Sequence, residues 1–253
     1  MPDDLLGRRI LVVGASSGIG AALVRASRAR GASVAAAARR ADRLAQLADE
    51  VGATAVPLDV RDEGSVRSGV ATSVDALGGL DAVVYAAAVS PLVGIGDATA
   101  DDWRAVMETN VVGCGLVAAM AAPHLVPAGG RMVVLSSKAV RQPFSDLGVY
   151  ATSKFALDGL IRCLPIDLPG LLVSRVVVGN THGTDFATSW DPERAGTAFE
   201  QWIEQGVLGS GRTMDPGDVA DAVLTVLASP VHIDDLAVLE HPFPADLSAE
   251  GGR

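Results

Sequence analysis

Short apolar runs alternate along this chain with longer segments in which apolar residues recur at helical spacing. Continuous apolar runs of about four to eight residues, without strict alternation, are typical of strands buried on both faces of a sheet. Seven such runs predict strands, at Ile10–Val13, Ser33–Ala38, Thr54–Leu58, Asp81–Ala86, Arg131–Ser136, Leu172–Val178 and Leu236–Leu239.

The segments between these strands predict helices. Polar caps and first-turn prolines mark several of their starts, and glycines mark several of their ends. The predicted helices run from the turn at Gly20 to about Arg30, over Asp42–Glu50, near Asp62–Leu77, from a cap at Asp101 to about Val126, near Val149–Leu168, and onward from Asp215 and Pro216. Pro165 lies inside the fifth helix and is expected to kink or shorten it.

This alternation of strands and helices predicts the α/β class. The expected architecture is a three-layer α-β-α, doubly wound parallel sheet (a Rossmann fold) of about seven strands. No linker, repeat or low-complexity tract divides the sequence, so residues 1–253 are expected to form a single domain. The polar last residues, 244–253, are predicted to be a mobile tail.

Composition narrows the possible functions. Of 253 residues, 49% are hydrophobic and only 4% aromatic, so alanine, valine and leucine must build the core. The net charge of −10 argues against a nucleic-acid-binding surface, because no basic stripe is available to neutralise phosphates. Cys114 and Cys163 lie far apart without metal-ligand spacing, and both are predicted to be buried free thiols.

The sequence also bears on location. The acidic start, Met1–Asp4, leads directly into a strand and does not read as a signal peptide. The most apolar run, Val111–Val126, is shorter than the ~20 residues that a membrane-spanning helix needs. We therefore expect a soluble cytoplasmic protein.

A glycine-rich turn joins the first strand to the first helix. Backbone N–H groups at a helix N-terminus bind anions, and glycines let a phosphate approach the backbone closely. The spacing Gly-x-x-x-Gly-x-Gly differs from the usual dinucleotide fingerprint but follows the same physical logic. The alternative is a tight turn that binds nothing. The candidate cofactor contacts here are Gly14, Ser16, Ser17, Gly18, Ile19 and Gly20.

The end of the second strand indicates which dinucleotide binds. Enzymes that bind NAD usually carry an acidic residue there, which holds the ribose hydroxyls. Here Arg39 and Arg40 follow the strand, and arginine binds a 2′-phosphate through charge-assisted hydrogen bonds. We predict NADP(H) as the cofactor, with Arg39 the first candidate for the phosphate contact and Arg40 the second. The alternative is two surface arginines at the start of a helix.

Tyr150 and Lys154 lie four residues apart, on one face of a predicted helix. A free phenol has a pKa of about 10, and a neighbouring ammonium favours the phenolate. The pair is therefore a candidate acid–base device. Alone it is weak evidence, because the same spacing is common on exposed helix faces.

Together with Asn110 and Ser137, these motifs resemble the short-chain dehydrogenase/reductase family, of the non-extended type. Ser137 lies thirteen residues before Tyr150, and both lie downstream of the glycine turn. The resemblance extends over about residues 8–240. It implies an NADP(H)-dependent oxidoreductase that reversibly reduces a ketone or aldehyde to an alcohol.

The resemblance also implies roles for individual residues. Tyr150 would transfer the proton, Ser137 would orient the substrate oxygen, and Lys154 would hold the nicotinamide ribose and lower the tyrosine pKa. Asn110 would anchor a water-linked proton relay. Further expected cofactor contacts are Asp59, Val60, Ala87 and Gly179, with Thr181 and Thr184 as alternatives for the carboxamide.

Three departures from the family's pattern stand out. Residues 85–88 read Tyr-Ala-Ala-Ala, where the family usually has Asn-Asn-Ala-Gly. Val13 stands in place of a threonine before the glycine turn, and Val178 in place of a proline after the sixth strand. Because alanine stays small, we still expect the cofactor to fit.

Residues 183–212 correspond to the family's helical substrate lid. Phe186, Trp190, Phe199 and Trp202 lie within it, although aromatic residues are scarce in this chain. They suggest a sizeable apolar or aromatic substrate; the alternative is that they only pack the lid onto the body. The candidate substrate contacts are Ser90, Leu92, Ser137, Phe144, Tyr150 and Phe186.

Two further expectations concern assembly and an alternative function. In the family, the helices that carry Asn110 and Tyr150 usually form the subunit interface, so we expect a homotetramer or a homodimer. The alternative function is a catalytically idle NADP-binding regulator or redox sensor on the same fold. Such a protein would have little need for the full set of catalytic residues.

Overall fold

The structure is a computed structural model, and it describes residues 5–208 and 213–240. The described part contains a seven-stranded sheet, whose strands are β1 Arg9–Val13, β2 Ser33–Ala38, β3 Thr54–Pro57, β4 Ala82–Tyr85, β5 Arg131–Ser137, β6 Leu172–Val178 and β7 Asp235–Val238. Each predicted strand is present, with its ends within about one residue of the predicted bounds. The predicted tail, 244–253, lies outside the described residues.

All neighbouring strands are parallel, in the order β3-β2-β1-β4-β5-β6-β7. Strand β1 pairs with β2 on one side and with β4 on the other, so the winding direction reverses between β1 and β4. In such sheets, ligands bind in the crevice at the carboxyl ends of the strands beside this reversal. The predicted doubly wound architecture is confirmed.

Helices cover both faces of the sheet. Those in the described part are α1 Gly18–Ala29, α2 Ala41–Val51, α3 Glu63–Leu77, α4 Ala100–Met107, α5 Gly113–Leu125, α6 Gly148–Asp167, α7 Pro192–Glu204 and α8 Pro216–Ala228. Buried residues of α1, α2 and α8 form one core cluster with the sheet, and those of α3, α5 and α6 form another. Helix α7, which lies within the predicted lid, belongs to a third apolar cluster.

The pleat of β1 shows why the strand sequences are continuously apolar. Ile10 and Val12 pack in the cluster that contains α1 and α8, whereas Leu11 and Val13 pack in the cluster that contains α3, α5 and α6. All four side chains are at most 1% exposed. A strand covered on both faces needs an apolar residue at every position.

The long helix predicted from Asp101 to Val126 differs from the expectation in two ways. It is capped by Thr99, so the prediction of Asp101 as the cap is wrong and Asp101 lies in the first turn. Residues Glu108–Val112 form a π-helical segment between α4 and α5. A π-helical turn contains one residue more than an α-helical turn and therefore shifts the apolar face of the helix. Because α5 is apolar around most of its circumference, its sequence shows no distinct apolar face in which such a shift could be detected.

Two smaller predictions also need correction. Pro165 does not end α6, which continues to Asp167; the proline lies in the last turn, close to where the helix ends in any case. Cys114 is buried as predicted, but Cys163 is exposed, and both are free thiols.

The helical stretch Ala100–Ala128 is long and apolar enough to span a membrane by length and composition alone. Within it, buried residues of α5 such as Val117 and Leu125 pack in the core cluster beside the sheet. Of the apolar window in this stretch, 39% is buried in the protein, so packing against the sheet accounts for part of its apolar sequence.

The capping correction gives a stability prediction. Thr99 Oγ1 accepts a hydrogen bond from the Asp102 amide at 3.2 Å, and the Asp102 carboxylate accepts one from the Thr99 amide at 2.9 Å. Thr99→Ala should therefore lower the free energy of unfolding by about 1 kcal/mol. Asp101→Ala removes only an exposed ion pair with Arg104 and should cost less than about 0.5 kcal/mol. Equilibrium urea unfolding measures both, and an equal loss in the two variants would contradict the assignment.

Candidate active site

A cleft with a volume of about 660 Å³ opens at the carboxyl ends of the central strands. Its walls come from the glycine turn, the ends of β1, β2, β5 and β6, helix α6 and the lid. The predicted site residues that line it are Gly14, Ser16, Ser17, Gly18, Ile19, Gly20, Arg39, Arg40, Val60, Ala87, Ser137, Phe144, Tyr150, Gly179, Thr181, Thr184 and Phe186.

Five predicted residues are not among the residues that line this cleft. Asn110 and Lys154 are buried behind its wall. The Asp59 carboxylate accepts hydrogen bonds from its neighbour Arg61, at 3.1 Å and 2.8 Å.

Ser90 and Leu92 lie behind the lid rather than in the wall of the cleft. The Trp190 indole Nε1 donates a hydrogen bond to the Ser90 carbonyl oxygen at 2.8 Å, and Leu92 packs in the same apolar cluster as Trp190. Ser90 and Leu92 therefore support the lid in this structure, and their predicted contact with substrate stays a prediction.

Two glycines of the turn are packed too tightly to be replaced by a residue with a side chain. A Cβ added to Gly14, whose φ is +93°, would lie 2.5 Å from the Ala87 backbone nitrogen. A Cβ on Gly20 would lie 2.1 Å from the Gly14 carbonyl oxygen. Ser17, at the N-cap of α1, makes no side-chain bond to the first turn of that helix. The first amides of α1 are thus left to bind an anion.

Arg40 is held against the glycine turn. Its guanidinium donates hydrogen bonds to the hydroxyls of Ser16 and Ser17, at 2.8 Å and 2.9 Å, and forms an ion pair with Asp185 from the lid. Arg43 pairs with the same carboxylate at 2.7 Å. These contacts hold the pKa of Asp185 below its ordinary value, chiefly through the hydrogen bond from Arg40.

Arg39 differs from its neighbour. It is exposed and lines the cleft, and none of the described carboxylates lies within ion-pair distance of it. The predicted phosphate-binding arginines therefore reach the same cleft, but only Arg40 is already paired with an acid.

Tyr150 lies near the start of α6, and Ser137 is the last residue of β5. Burial raises the pKa of the Tyr150 phenol to about 12, and the neighbouring Ser137 hydroxyl acts in the opposite direction. The sequence-based expectation that this pKa is lowered is therefore wrong here, because desolvation outweighs the favourable contacts. The phenol is a neutral proton donor across the physiological pH range.

Lys154 lies one turn after Tyr150, and only 3% of it is exposed. Its Nζ donates a hydrogen bond to the Leu135 carbonyl oxygen at 2.8 Å and lies 5.7 Å from the centre of the Tyr150 ring. Burial lowers the pKa of this ammonium to about 8, while Cys114 and Asp158 act to raise it. The positive charge of Lys154 is therefore retained below about pH 8.

Asn110 lies in the π-helical segment and ties two elements together. Its Oδ1 accepts a hydrogen bond from the Val89 amide at 2.9 Å, and its Nδ2 donates to the Val89 carbonyl oxygen at 3.0 Å. The same Nδ2 donates to Ser153 Oγ at 2.9 Å, and Ser153 Oγ donates to the Tyr150 carbonyl oxygen at 2.7 Å. The segment after β4 and the start of α6 are thus linked through one side chain.

The lid closes one side of the cleft with aromatic rings. Phe186 contacts Tyr150 edge-to-face with ring centres 5.0 Å apart, and Trp190 contacts Phe186 in the same way at 5.3 Å. Trp202 Nε1 donates a hydrogen bond to the Ser145 carbonyl oxygen at 2.9 Å. These rings pack the lid onto the body and also line the cleft.

Sequence reasoning missed two polar groups at this site. Lys138, which follows Ser137 and lines the cleft, forms an ion pair with Glu240. Glu240 also accepts a hydrogen bond from Asn180 Nδ2 at 2.9 Å. Asp185 was missed as the partner of Arg40. Neither pairing has a local sequence signal, because the partners lie more than a hundred positions apart.

Comparison with known proteins identifies relatives over most of the chain. The family model described as short chain dehydrogenase matches residues 8–195. A glycine betaine reductase from Emericella nidulans is 32% identical over 246 residues, which are 94% of this chain but only 19% of that protein's length. A probable NADP-dependent dehydrogenase from Haemophilus influenzae is 29% identical over 88% of this chain and 89% of its own length.

Solved structures show the same fold. A short chain dehydrogenase from Burkholderia cenocepacia, crystallised in complex with NADP, is 30% identical and superposes with a TM-score of 0.78. The match covers 93% of this chain and 98% of that one. The fold of this chain is therefore the fold of solved short chain dehydrogenase structures.

Proposed function

The chain belongs to the short-chain dehydrogenase family, and within it we propose an NADP(H)-dependent oxidoreductase that reversibly reduces a ketone or aldehyde carbonyl to an alcohol. The observation that carries this proposal is the position of Tyr150. Its phenol lies at the cleft beside the Ser137 hydroxyl, with the Lys154 ammonium close behind it. A neutral acid, a second hydroxyl and a buried cation at one point suit proton transfer to a carbonyl oxygen.

Tyr150 would supply the proton in the direction of reduction. A carbonyl oxygen gains negative charge as a hydride reaches its carbon, and a phenol within hydrogen-bond reach can transfer its proton to that oxygen. The raised pKa keeps the proton on Tyr150 until the oxygen becomes basic enough to take it. The Ser137 hydroxyl would donate a hydrogen bond to the same oxygen. In the direction of oxidation, the Lys154 ammonium would stabilise the phenolate.

The residues present fit a dinucleotide. The close packing at Gly14 and Gly20 leaves no room for a side chain at these two positions, and the first amides of α1 have no side-chain cap. Phosphate groups would bind at these amides, and the nicotinamide of a bound NADPH would supply the hydride, which no side chain can provide. The alanines at residues 86–88 support this fit, because the backbone of Ala86 and Ala87 already packs against Gly14.

Arg39 would be the principal contact to the 2′-phosphate. Arg40 is paired with Asp185 and both turn serines, whereas none of the described carboxylates forms an ion pair with the Arg39 guanidinium at the cleft. Arg40 would then add positive potential behind it. The relative from Haemophilus influenzae is named as NADP-dependent, and the Burkholderia cenocepacia structure holds NADP, which supports the same cofactor here.

The substrate proposal follows from the lid. Phe144, Phe186, Trp190 and Trp202 line the cleft near Tyr150, which suits a sizeable apolar or aromatic carbonyl compound. Thr181 and Thr184 both line the cleft, so both remain candidates for the carboxamide contact.

A homotetramer or homodimer is part of the same proposal. Val112, at the end of the π-helical segment before α5, and Phe155, on α6, are 50% and 51% exposed. Large apolar side chains on adjacent helices are a candidate surface for helix-to-helix packing between subunits. The chain would then assemble through α5 and α6.

Tyr150→Phe tests the proposed reaction. The variant keeps the ring and its contact with Phe186 but has no proton to transfer, so NADPH consumption with a panel of ketones, quinones, sugars and steroids should fall by at least about 100-fold. NADPH affinity should change less than about twofold, as measured by calorimetry. Unchanged turnover would contradict the role of Tyr150, and nucleotide binding without turnover in the unaltered protein would favour the idle regulator.

The cofactor assignment has a separate test. Arg39→Ala should weaken NADP binding by about 10- to 100-fold, the range expected for losing a charge-assisted hydrogen bond, and should leave NAD binding nearly unchanged. Arg67→Ala is a matched control, because Arg67 is an exposed arginine on α3, away from the cleft. Thermal shift and calorimetry with both nucleotides give the answer. Binding of NAD as tightly as NADP by the unaltered protein would overturn the assignment.

A further inference from the structure

Tyr85 is a buried polar residue that the mechanism above does not use. It ends β4, and its side chain is 1% exposed within the core cluster between the sheet and α3, α5 and α6. It stands where the family's pattern has an asparagine. Its hydroxyl donates a hydrogen bond to the carbonyl oxygen of Thr109, in the π-helical segment next to Asn110.

The π-helical segment explains why this carbonyl needs a donor. In an α-helix, the carbonyl of Thr109 would accept from the amide of Gly113, four residues later. Here the Gly113 amide donates to the Glu108 carbonyl oxygen instead, five residues back. The Thr109 carbonyl thereby loses its ordinary partner, and an unpaired buried carbonyl is costly. The Tyr85 hydroxyl takes the place of the missing amide.

Gly113 makes room for this arrangement. A Cβ on Gly113 would lie 2.8 Å from the Tyr85 hydroxyl oxygen and 2.7 Å from Val60 Cβ. The helix backbone can therefore come close enough for the tyrosine to reach Thr109 only because residue 113 has no side chain. The two residues fit each other as a pair.

The π-helical segment in turn sets the position of Asn110. From there, the Asn110 amide reaches Val89 and Ser153, and Ser153 Oγ donates to the Tyr150 carbonyl oxygen. A short series of buried hydrogen bonds thus leads from Tyr85 to the first turn of α6.

We propose that Tyr85 is a positioning residue, whose hydroxyl stabilises the π-helical segment and through it holds Asn110 and the start of α6 in the reactive arrangement. This inference rests on the proposed function only for its effect on catalysis. Its structural part, the support of residues 108–112 by the tyrosine hydroxyl, stands without any assumption about the reaction.

Tyr85→Phe is the test, because it removes the hydroxyl and keeps the ring in the core. We expect kcat for carbonyl reduction to fall about tenfold, the order expected when a buried carbonyl loses its donor. The KM for NADPH should change less than about twofold, since the glycine turn is untouched. A loss of stability alone would not produce this separation of kcat from KM in the folded enzyme.

A double-mutant cycle identifies the route of the effect. If Tyr85 acts through Asn110, then adding Tyr85→Phe to Asn110→Ala should lower kcat by less than about twofold beyond the single asparagine variant. Independent effects would multiply, and that result would overturn the proposal. So would a wild-type kcat in Tyr85→Phe.

Ser73→Ala is the matched control. Ser73 is also fully buried, and its hydroxyl donates to a helix carbonyl, that of Gly69, at 2.7 Å. The control removes a comparable hydrogen bond within α3, away from Asn110. We expect it to leave kcat within about twofold of wild type.

Amide hydrogen exchange tests the structural part even if no carbonyl compound proves to be a substrate. Tyr85→Phe should speed exchange at residues 108–113 and 150–154 by about tenfold or more, whereas Ser73→Ala should not. Unchanged exchange in these segments would overturn the role of Tyr85. An inactive wild-type protein with the expected exchange pattern would contradict only the proposed reaction.

Discussion

The side-chain amide of Asn110 is the contact on which the arrangement of the cleft depends most. It pairs with both backbone groups of Val89 and with Ser153, so the segment after β4 and the first turn of α6 share one hydrogen-bonding partner. Both N–H groups of this buried amide donate hydrogen bonds within the protein, and its oxygen accepts one. Tyr150 and Lys154 are presented from a helix whose start is fixed to the sheet, and that rigidity is what a proton donor needs in order to meet a substrate oxygen repeatedly in one geometry.

The same constraint explains features that at first look unrelated. The π-helical segment gives Asn110 its position, and the segment is possible because Tyr85 and Gly113 satisfy and accommodate its backbone. On the other side of β4, the backbone of Ala86 and Ala87 packs on Gly14 and so shapes the glycine turn. Residues 85–88, which differ most from the family's pattern, therefore contact both the π-helical segment that carries Asn110 and the glycine turn. Their small or aromatic side chains fit this packing, so the departures are compatible with a working site.

Much of this was accessible from the sequence because it depends on local pattern. Continuous apolar runs such as Ile10–Val13 predict strands covered on both faces, and the glycine turn must follow the first of them. The rest depends on contacts between distant residues or on burial. The π-helical segment at Glu108–Val112 could not be predicted, because a uniformly apolar helix shows no shift of an apolar face. The ion pair between Arg40 and Asp185 could not be predicted either, because these residues lie far apart in the sequence. The direction of the Tyr150 pKa was predicted wrongly, since spacing shows a neighbouring lysine but not the burial of the phenol, which raises this pKa.

The central claim is that hydride and proton meet at one carbonyl group in this cleft, and transfer of an isotope label tests it most directly. The protein would be incubated with NADPH carrying deuterium at both positions of the reactive carbon and with a carbonyl compound that it consumes, and the alcohol would be analysed by mass spectrometry and NMR. The account predicts one deuterium per product molecule, on the former carbonyl carbon, with the new hydroxyl proton drawn from water. Binding of NADPH without label transfer to any compound of a broad carbonyl panel would contradict it.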